Sequence, residues 1–171
     1  MRYTPFGKTG LQVSQIALGT GNFGTGWGHG ADADTSKAVF EAYAEAGGNF
    51  IDTADVYQFG QSEELLGSLL EGRRENFVLA TKFTRGAVPN ADRLVRGNSR
   101  KAMVTSVEAS LKRLKADRID IYWVHYPDNV TPPSRKSFVA SRISRVPARF
   151  SMRVSRTSRP GGLHARSRWR N

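Results

Sequence analysis

Three short apolar runs in this chain each end in an ionisable side chain. Residues 49–51 run into Asp52, followed by Thr53, Ala54, Asp55, Val56 and Tyr57; residues 78–81 end on Lys82; residues 119–124 end on His125. A buried strand delivers its last residue at its C-terminal end, which is where parallel α/β proteins place their chemistry. Taken singly, each residue has an ordinary reading. Asp52 can cap a turn, Lys82 can be a solvated charge, His125 a hydrogen-bonded structural histidine, and Tyr57 a surface or core aromatic. Together, an acid, an ammonium and an imidazole at three strand ends, with a phenol just beyond the first, form a proton-handling set.

The remaining pattern supplies the frame. Residues 3–6 and 11–14 flank Gly7-Lys8-Thr9-Gly10 and predict a small hairpin. A strand over residues 16–18 follows. Residues 19–24 then match G-x-G-x-x-G literally, but that dinucleotide fingerprint needs its last glycine to open a helix. Here glycines continue through Gly26, Gly28 and Gly30, so the segment reads as a loop over a pocket. Asp34 or Thr35 is expected to cap a helix with Val39, Tyr43 and Ala46 on one face, closed by Gly47 and Gly48. A second helix is predicted over residues 62–70, with Leu65, Leu66, Leu69 and Leu70 inward. A third begins at Ser99 and carries Val104, Val107, Leu111 and Leu114, a stripe that packs on a sheet and implies no function. Strands alternating with helices four times predict a parallel sheet with right-handed crossovers, either doubly wound or closed as a barrel.

Several stretches together resemble the aldo-keto reductase family. These are residues 6–14 (Phe-Gly-Lys-Thr-Gly-Leu-Gln-Val-Ser), Leu18-Gly19-Thr20, residues 49–57, Ala80-Thr81-Lys82 and residues 124–128 (Val-His-Tyr-Pro-Asp), in that family's order. The resemblance covers residues 1 to about 132. It implies a TIM (β/α)8 barrel of which only the first half is present, an N-terminal hairpin plus four βα units. It further implies NADPH-dependent reduction of aldehydes or ketones to alcohols. Such a reduction requires a hydride at carbon and a proton at oxygen. A phenol is a weak acid that a neighbouring ammonium helps by stabilising the phenolate. On the resemblance, Tyr57 is the general acid, supported by Lys82, Asp52 and His125. Gly19, Thr20 and Asp52 would lie beside the nicotinamide, and Trp27 would wall the carbonyl pocket. A different class is also open, an NADPH-binding regulatory or redox-sensing subunit that binds a partner protein and turns over little. Neither the carbonyl substrate nor the oligomeric state is legible, nor is the choice of NADPH over NADH.

Composition bears mainly on the end of the chain. Its 171 residues are few for a barrel, which takes about 250, and the absence of Cys excludes disulfides and thiolate metal sites. His29, His125 and the nearby acids have no metal-ligand spacing, so no metal is expected. With no secretory pattern in the opening residues and no run near the roughly 18 apolar residues of a membrane span, a soluble cytoplasmic protein is expected. The formal charge is +11, yet of 26 Lys and Arg, 11 fall in residues 134–171, leaving 15 against 15 acidic residues in the body. Residues 133–171 therefore read as a basic, Ser/Arg-rich, disordered tail. Only Phe138, Phe150 and Trp169 could stack on bases, so nucleic acid is not the expected partner. Synonymous codon choice and a one-base shift turn residues 149–161 into Lys-Ile-Gln-Tyr-Ala-Gly-Val-Ser-Asn-Phe-Pro-Ala-Trp. The same shift turns residues 139–147 into Arg-Gly-Leu-Ala-Asp-Leu-Ala-Arg-Ala. The tail is accordingly expected to be a frameshifted stretch of a reductase gene, and the isolated chain to be inactive, with open strand edges.

Overall fold

The structure is a computed structural model that describes residues 1–127 and Thr131. The expectations about residues 133–171 lie outside the described residues. Strands β1 (Tyr3–Pro5) and β2 (Gln12–Ser14) pair antiparallel as the hairpin. Four further strands form one parallel sheet: β3 (Leu18–Gly19), β4 (Phe50–Asp52), β5 (Val78–Phe83) and β6 (Ile121–Val124). Their spatial order is their chain order. A doubly wound sheet reverses its order at a switch point, whereas a barrel adds each strand beside the last. The observed order is that of the first four strands of a (β/α)8 barrel.

Three helices make the crossovers: α1 (Ala33–Glu45), α2 (Gln61–Leu69) and α3 (Arg100–Arg113). The helix of the expected fourth unit falls outside the described residues. Ser99 caps α3 as expected, its hydroxyl accepting from the Ala102 amide. Helix α1 departs from expectation at both its cap and its face. Asp32, not Asp34 or Thr35, accepts the Thr35 amide at 2.8 Å and is the N-cap. Ser36 and Phe40 are fully buried, while Val39 stands 45% exposed. The helix carries two rival i, i+4 stripes, and the larger ring wins: Phe40 packs 5.3 Å from Phe77 with the Arg73 guanidinium over it. Tyr43 packs against the core as a partly buried ring, and its hydroxyl also bridges Ser14, the Ile16 carbonyl and the Phe50 backbone.

Period-two alternation sorts the sheet into two faces. Leu79 and Phe83 join Ile51, Tyr122, Leu66, Met103 and Leu114 in the core between sheet and helices. Val78, Ala80 and Ile121 face the other way, onto Val13, Phe6 and Leu11 of the hairpin, with Phe50 and Trp123 beside them. The hairpin therefore plugs the interior at the N-terminal end of the strands, with Phe6 edge-on to both Phe50 and Trp123. No helix among the described residues is long and apolar enough to cross a membrane.

Candidate active site

The interior face that begins with Phe50, Val78 and Ile121 near the hairpin ends, two or four residues later, in Asp52, Lys82 and His125. Parity alone sends all three inward: 50 and 52, 78, 80 and 82, 121, 123 and 125 share a face. Sheet register steps them along the rim: Gly19 lies opposite Asp52, Asp52 opposite Ala80, two residues before Lys82, and Lys82 opposite Trp123, two before His125. Backbone bonds continue past the strand ends, from the Thr53 amide to Ala80, Asp55 to Lys82 and His125 to Phe83. The side chains thus project from a braced rim.

Lys82 is the centre of the group and is only 7% exposed. Its Nζ donates to Asp52 Oδ2 at 2.5 Å, to the Thr53 carbonyl at 2.8 Å and to the Tyr57 hydroxyl at 3.0 Å. An ammonium has three donors, and all three are engaged. Because the Tyr57 oxygen accepts from Lys82, its own proton is left to point elsewhere. Tyr57 begins a tight turn, Tyr57–Gly60, just beyond β4, and its ring lies edge-on to His125 at 5.7 Å. Burial, then the charges of Lys82 and Arg85, pull the His125 imidazole down to about 4, so it is neutral at pH 7. A neutral imidazole beside an ammonium can orient a polar group without adding a second positive charge.

The other expected site residues fall around this core in different ways. Trp27, on the loop between β3 and α1, stands edge-on to Tyr57 at 6.2 Å and to Phe59 at 6.3 Å. Exposed His29 lies 6.0 Å from Trp27. Gly19 is exposed at the end of β3, and a Cβ there would meet nothing within 4 Å, which leaves an open shelf beside Asp52. Thr20 is fully buried, with its hydroxyl 2.8 Å from that of Ser62 and 3.3 Å from the Asp52 carbonyl. Its side chain holds the floor of the site, and its amide bonds the Asp52 carbonyl at 3.0 Å. Among the described residues, no group of three His, Asp or Glu could hold a metal ion.

Sequence reasoning did not single out a second layer of polar residues. Glu63 is fully buried, accepting from Thr81 Oγ1 at 2.6 Å and pairing with Arg113 at 2.7 Å. Asp55 is 2% exposed, and neither carboxylate oxygen has a hydrogen-bond partner of good geometry among the described residues. Burial, reinforced by Glu63, raises its carboxyl to about 7; the Arg113 charge and the nearby Val56 and Gly86 amides only partly oppose that rise. Gln58, also fully buried, follows Tyr57 directly. The hydrogen-bond partners of Glu63 and Gln58 lie 18 to 50 positions away, so no local spacing announces them.

Comparison with known proteins is consistent with this geometry. A family model described as "Aldo/keto reductase family" matches residues 15–152. An aldo-keto reductase of Bacillus subtilis, YhdN, is 44% identical over 135 residues, covering 77% of this chain and 40% of that protein. An aryl-alcohol dehydrogenase [NADP(+)] of Phanerodontia chrysosporium is also 44% identical, over 133 residues, covering 70% of this chain and 34% of its own. Among solved structures, the holo form of an aldo-keto reductase from Bacillus halodurans superposes with a TM-score of 0.62 at 31% identity, over 72% of this chain and 40% of that one. The match thus spans between about a third and two fifths of the length of these relatives.

Proposed function

The chain belongs to the aldo/keto reductase family, and from that premise we propose that it carries the acid–base half of an NADPH-dependent reduction of aldehydes or ketones. The observation that supports this reading is the Lys82 ammonium, which stands between the Asp52 carboxylate and the Tyr57 phenol and donates to both.

NADPH, when bound, supplies the hydride that forms the new C–H bond. The open shelf at Gly19 beside Asp52 fits the nicotinamide end of such a cofactor. As the carbonyl π bond breaks, the oxygen gains charge and takes the proton from the Tyr57 hydroxyl. Charge left on the phenol oxygen is stabilised by Lys82, 3.0 Å away and largely shielded from water. Asp52 and the Thr53 carbonyl hold the ammonium in place. Neutral His125, edge-on to the Tyr57 ring, orients the substrate oxygen toward that hydroxyl.

Tyr57→Phe is the discriminating variant, since it removes one oxygen and leaves the ring that Trp27 and His125 touch. In a chain whose reading frame is restored after residue 132, turnover of a test aldehyde should fall by about 10²–10⁴-fold, the usual contribution of a positioned proton donor, while NADPH affinity by fluorescence titration stays within about twofold. Undiminished turnover would remove Tyr57 from its role. We further propose that residues 133–171 are a frameshifted reading; coding DNA with no reductase sequence in its other two frames would refute it.

A further inference from the structure

The loop between β3 and α1 rests on Gln58. This residue is fully buried and left-handed, at φ 50 and ψ 35, and Phe59 follows at φ 56 and ψ 39. Two consecutive non-glycine residues in this region persist only where their surroundings over-determine them. The surroundings are the loop itself. Gln58 Oε1 accepts the Trp27 amide at 2.9 Å, and Nε2 donates to the Gly21 carbonyl at 3.2 Å. One carboxamide thereby satisfies a backbone donor and a backbone acceptor six residues apart, and the pattern fixes which way the amide faces. Gln61 adds a third tie, its Oε1 accepting the Thr25 amide at 2.9 Å.

The glycines of the loop are what let its backbone descend onto these two side chains. A Cβ on Gly26 would lie 2.5 Å from the Gln58 carbonyl oxygen. On Gly24 it would lie 2.8 Å from Gln61 Oε1, and on Gly30 3.0 Å from Gln58 Nε2. The Gly26 contact is with backbone, which no rotamer change relieves, and the other two are tight. The bonded residue at the centre of this arrangement is Trp27, whose ring meets Tyr57 and Phe59 edge-on.

We propose that Gln58 is a positioning residue: its carboxamide fixes the loop over residues 21–30 so that Trp27 forms a rigid wall beside the Tyr57 hydroxyl, favouring carbonyl substrates that carry an aromatic ring. The inference rests on the reductase reading for its substrate consequence, and on the hydrogen bonds alone for the loop. Gln58 acts through Trp27 and touches neither substrate nor proton.

The test compares the full chain with Gln58→Met, which keeps length and removes both bonds, and Gln58→Glu, which keeps the acceptor for the Trp27 amide. Amide hydrogen exchange at Trp27 should quicken about tenfold or more in Gln58→Met and recover in large part in Gln58→Glu. With NADPH, in a chain whose reading frame is restored after residue 132, KM for 4-nitrobenzaldehyde should rise about fivefold in Gln58→Met, with kcat within about twofold and KM for propanal unchanged. Unchanged exchange at Trp27 overturns the inference, as does an equal loss for both aldehydes. Should Gln58→Met fail to fold by circular dichroism, Gln61→Met at the exposed neighbour decides. Faster exchange at Thr25 with a higher 4-nitrobenzaldehyde KM supports the clamp, and an unmoved KM overturns it. A frame-restored chain that reduces neither aldehyde sinks the reductase reading, and the clamp is then decided by the Trp27 exchange ratio alone.

Discussion

At the level of single residues, Lys82 carries the largest electrostatic burden. It is 7% exposed, and its charge is tolerated because a carboxylate, a carbonyl and a hydroxyl meet its three donors. Removing the ammonium leaves Asp52 with an uncompensated charge, although the Asp52 side chain keeps 31% exposure and so partial access to water. Breaking a wholly buried pair costs about 3–5 kcal/mol; solvent screening at Asp52 brings the expected loss for Lys82→Met to about 2 kcal/mol. Adding Asp52→Asn to that variant should return part of the loss, because the orphaned charge goes with it. Urea denaturation of the two single variants and the double variant measures the coupling. Additive effects would mean that the pair at 2.5 Å does not hold the site together.

Between elements, a tight joint lies where α2 meets the end of α3. A Cβ on Gly67 would stand 2.6 Å from the Arg113 carbonyl oxygen and 2.7 Å from the Leu114 carbonyl carbon. Both are backbone atoms, so no rotamer change relieves the clash. Gly67→Ala should therefore force the helices apart and lower stability by about 1–3 kcal/mol, despite the better helix propensity of alanine. A urea midpoint equal to the wild type's would show that the joint gives way freely. This contact also marks what sequence pattern reveals and what it conceals. Element order, the part of the α3 stripe carried by Val107, Leu111 and Leu114, and the strand ends bearing Asp52, Lys82 and His125 were legible because periodicity and position encode them locally. The inward face of α1 was not, since Val39 and Phe40 offer competing stripes and only contact with Phe77 decides between them. Nor were Gln58, Glu63 and Arg113, whose partners lie 18 to 50 residues away. Tyr57 stood out by its place in a motif; the left-handed turn behind it leaves no mark that composition or spacing carries.

Across the whole molecule, half-buried His125 and buried Asp55 set opposing responses to pH. His125 is held down to about 4, first by burial and then by Lys82 and Arg85. Between about pH 6.5 and 4 the unfolded chain therefore binds a proton that the folded chain refuses, and stability falls as pH drops through that window. Asp55 is raised to about 7 by burial and Glu63, against the weaker pull of Arg113. From its ordinary 3.8 up to about 7 the folded chain keeps a proton that the unfolded chain has released, so stability falls as pH rises. The two slopes have opposite sign over nearly the same range and offset each other. Asp55→Asn deletes only the second, because an amide of the same shape does not titrate. The stability of that variant relative to the wild type should grow steadily from pH 4.5 to 7.5, reaching a gain on the order of 2–4 kcal/mol over its pH 4.5 difference. Urea midpoints at four pH values for both chains measure it. A difference that stays constant with pH would mean that water or a hydrogen bond already solvates the Asp55 carboxylate, and that the polar layer beneath Lys82 is wetter than its burial implies.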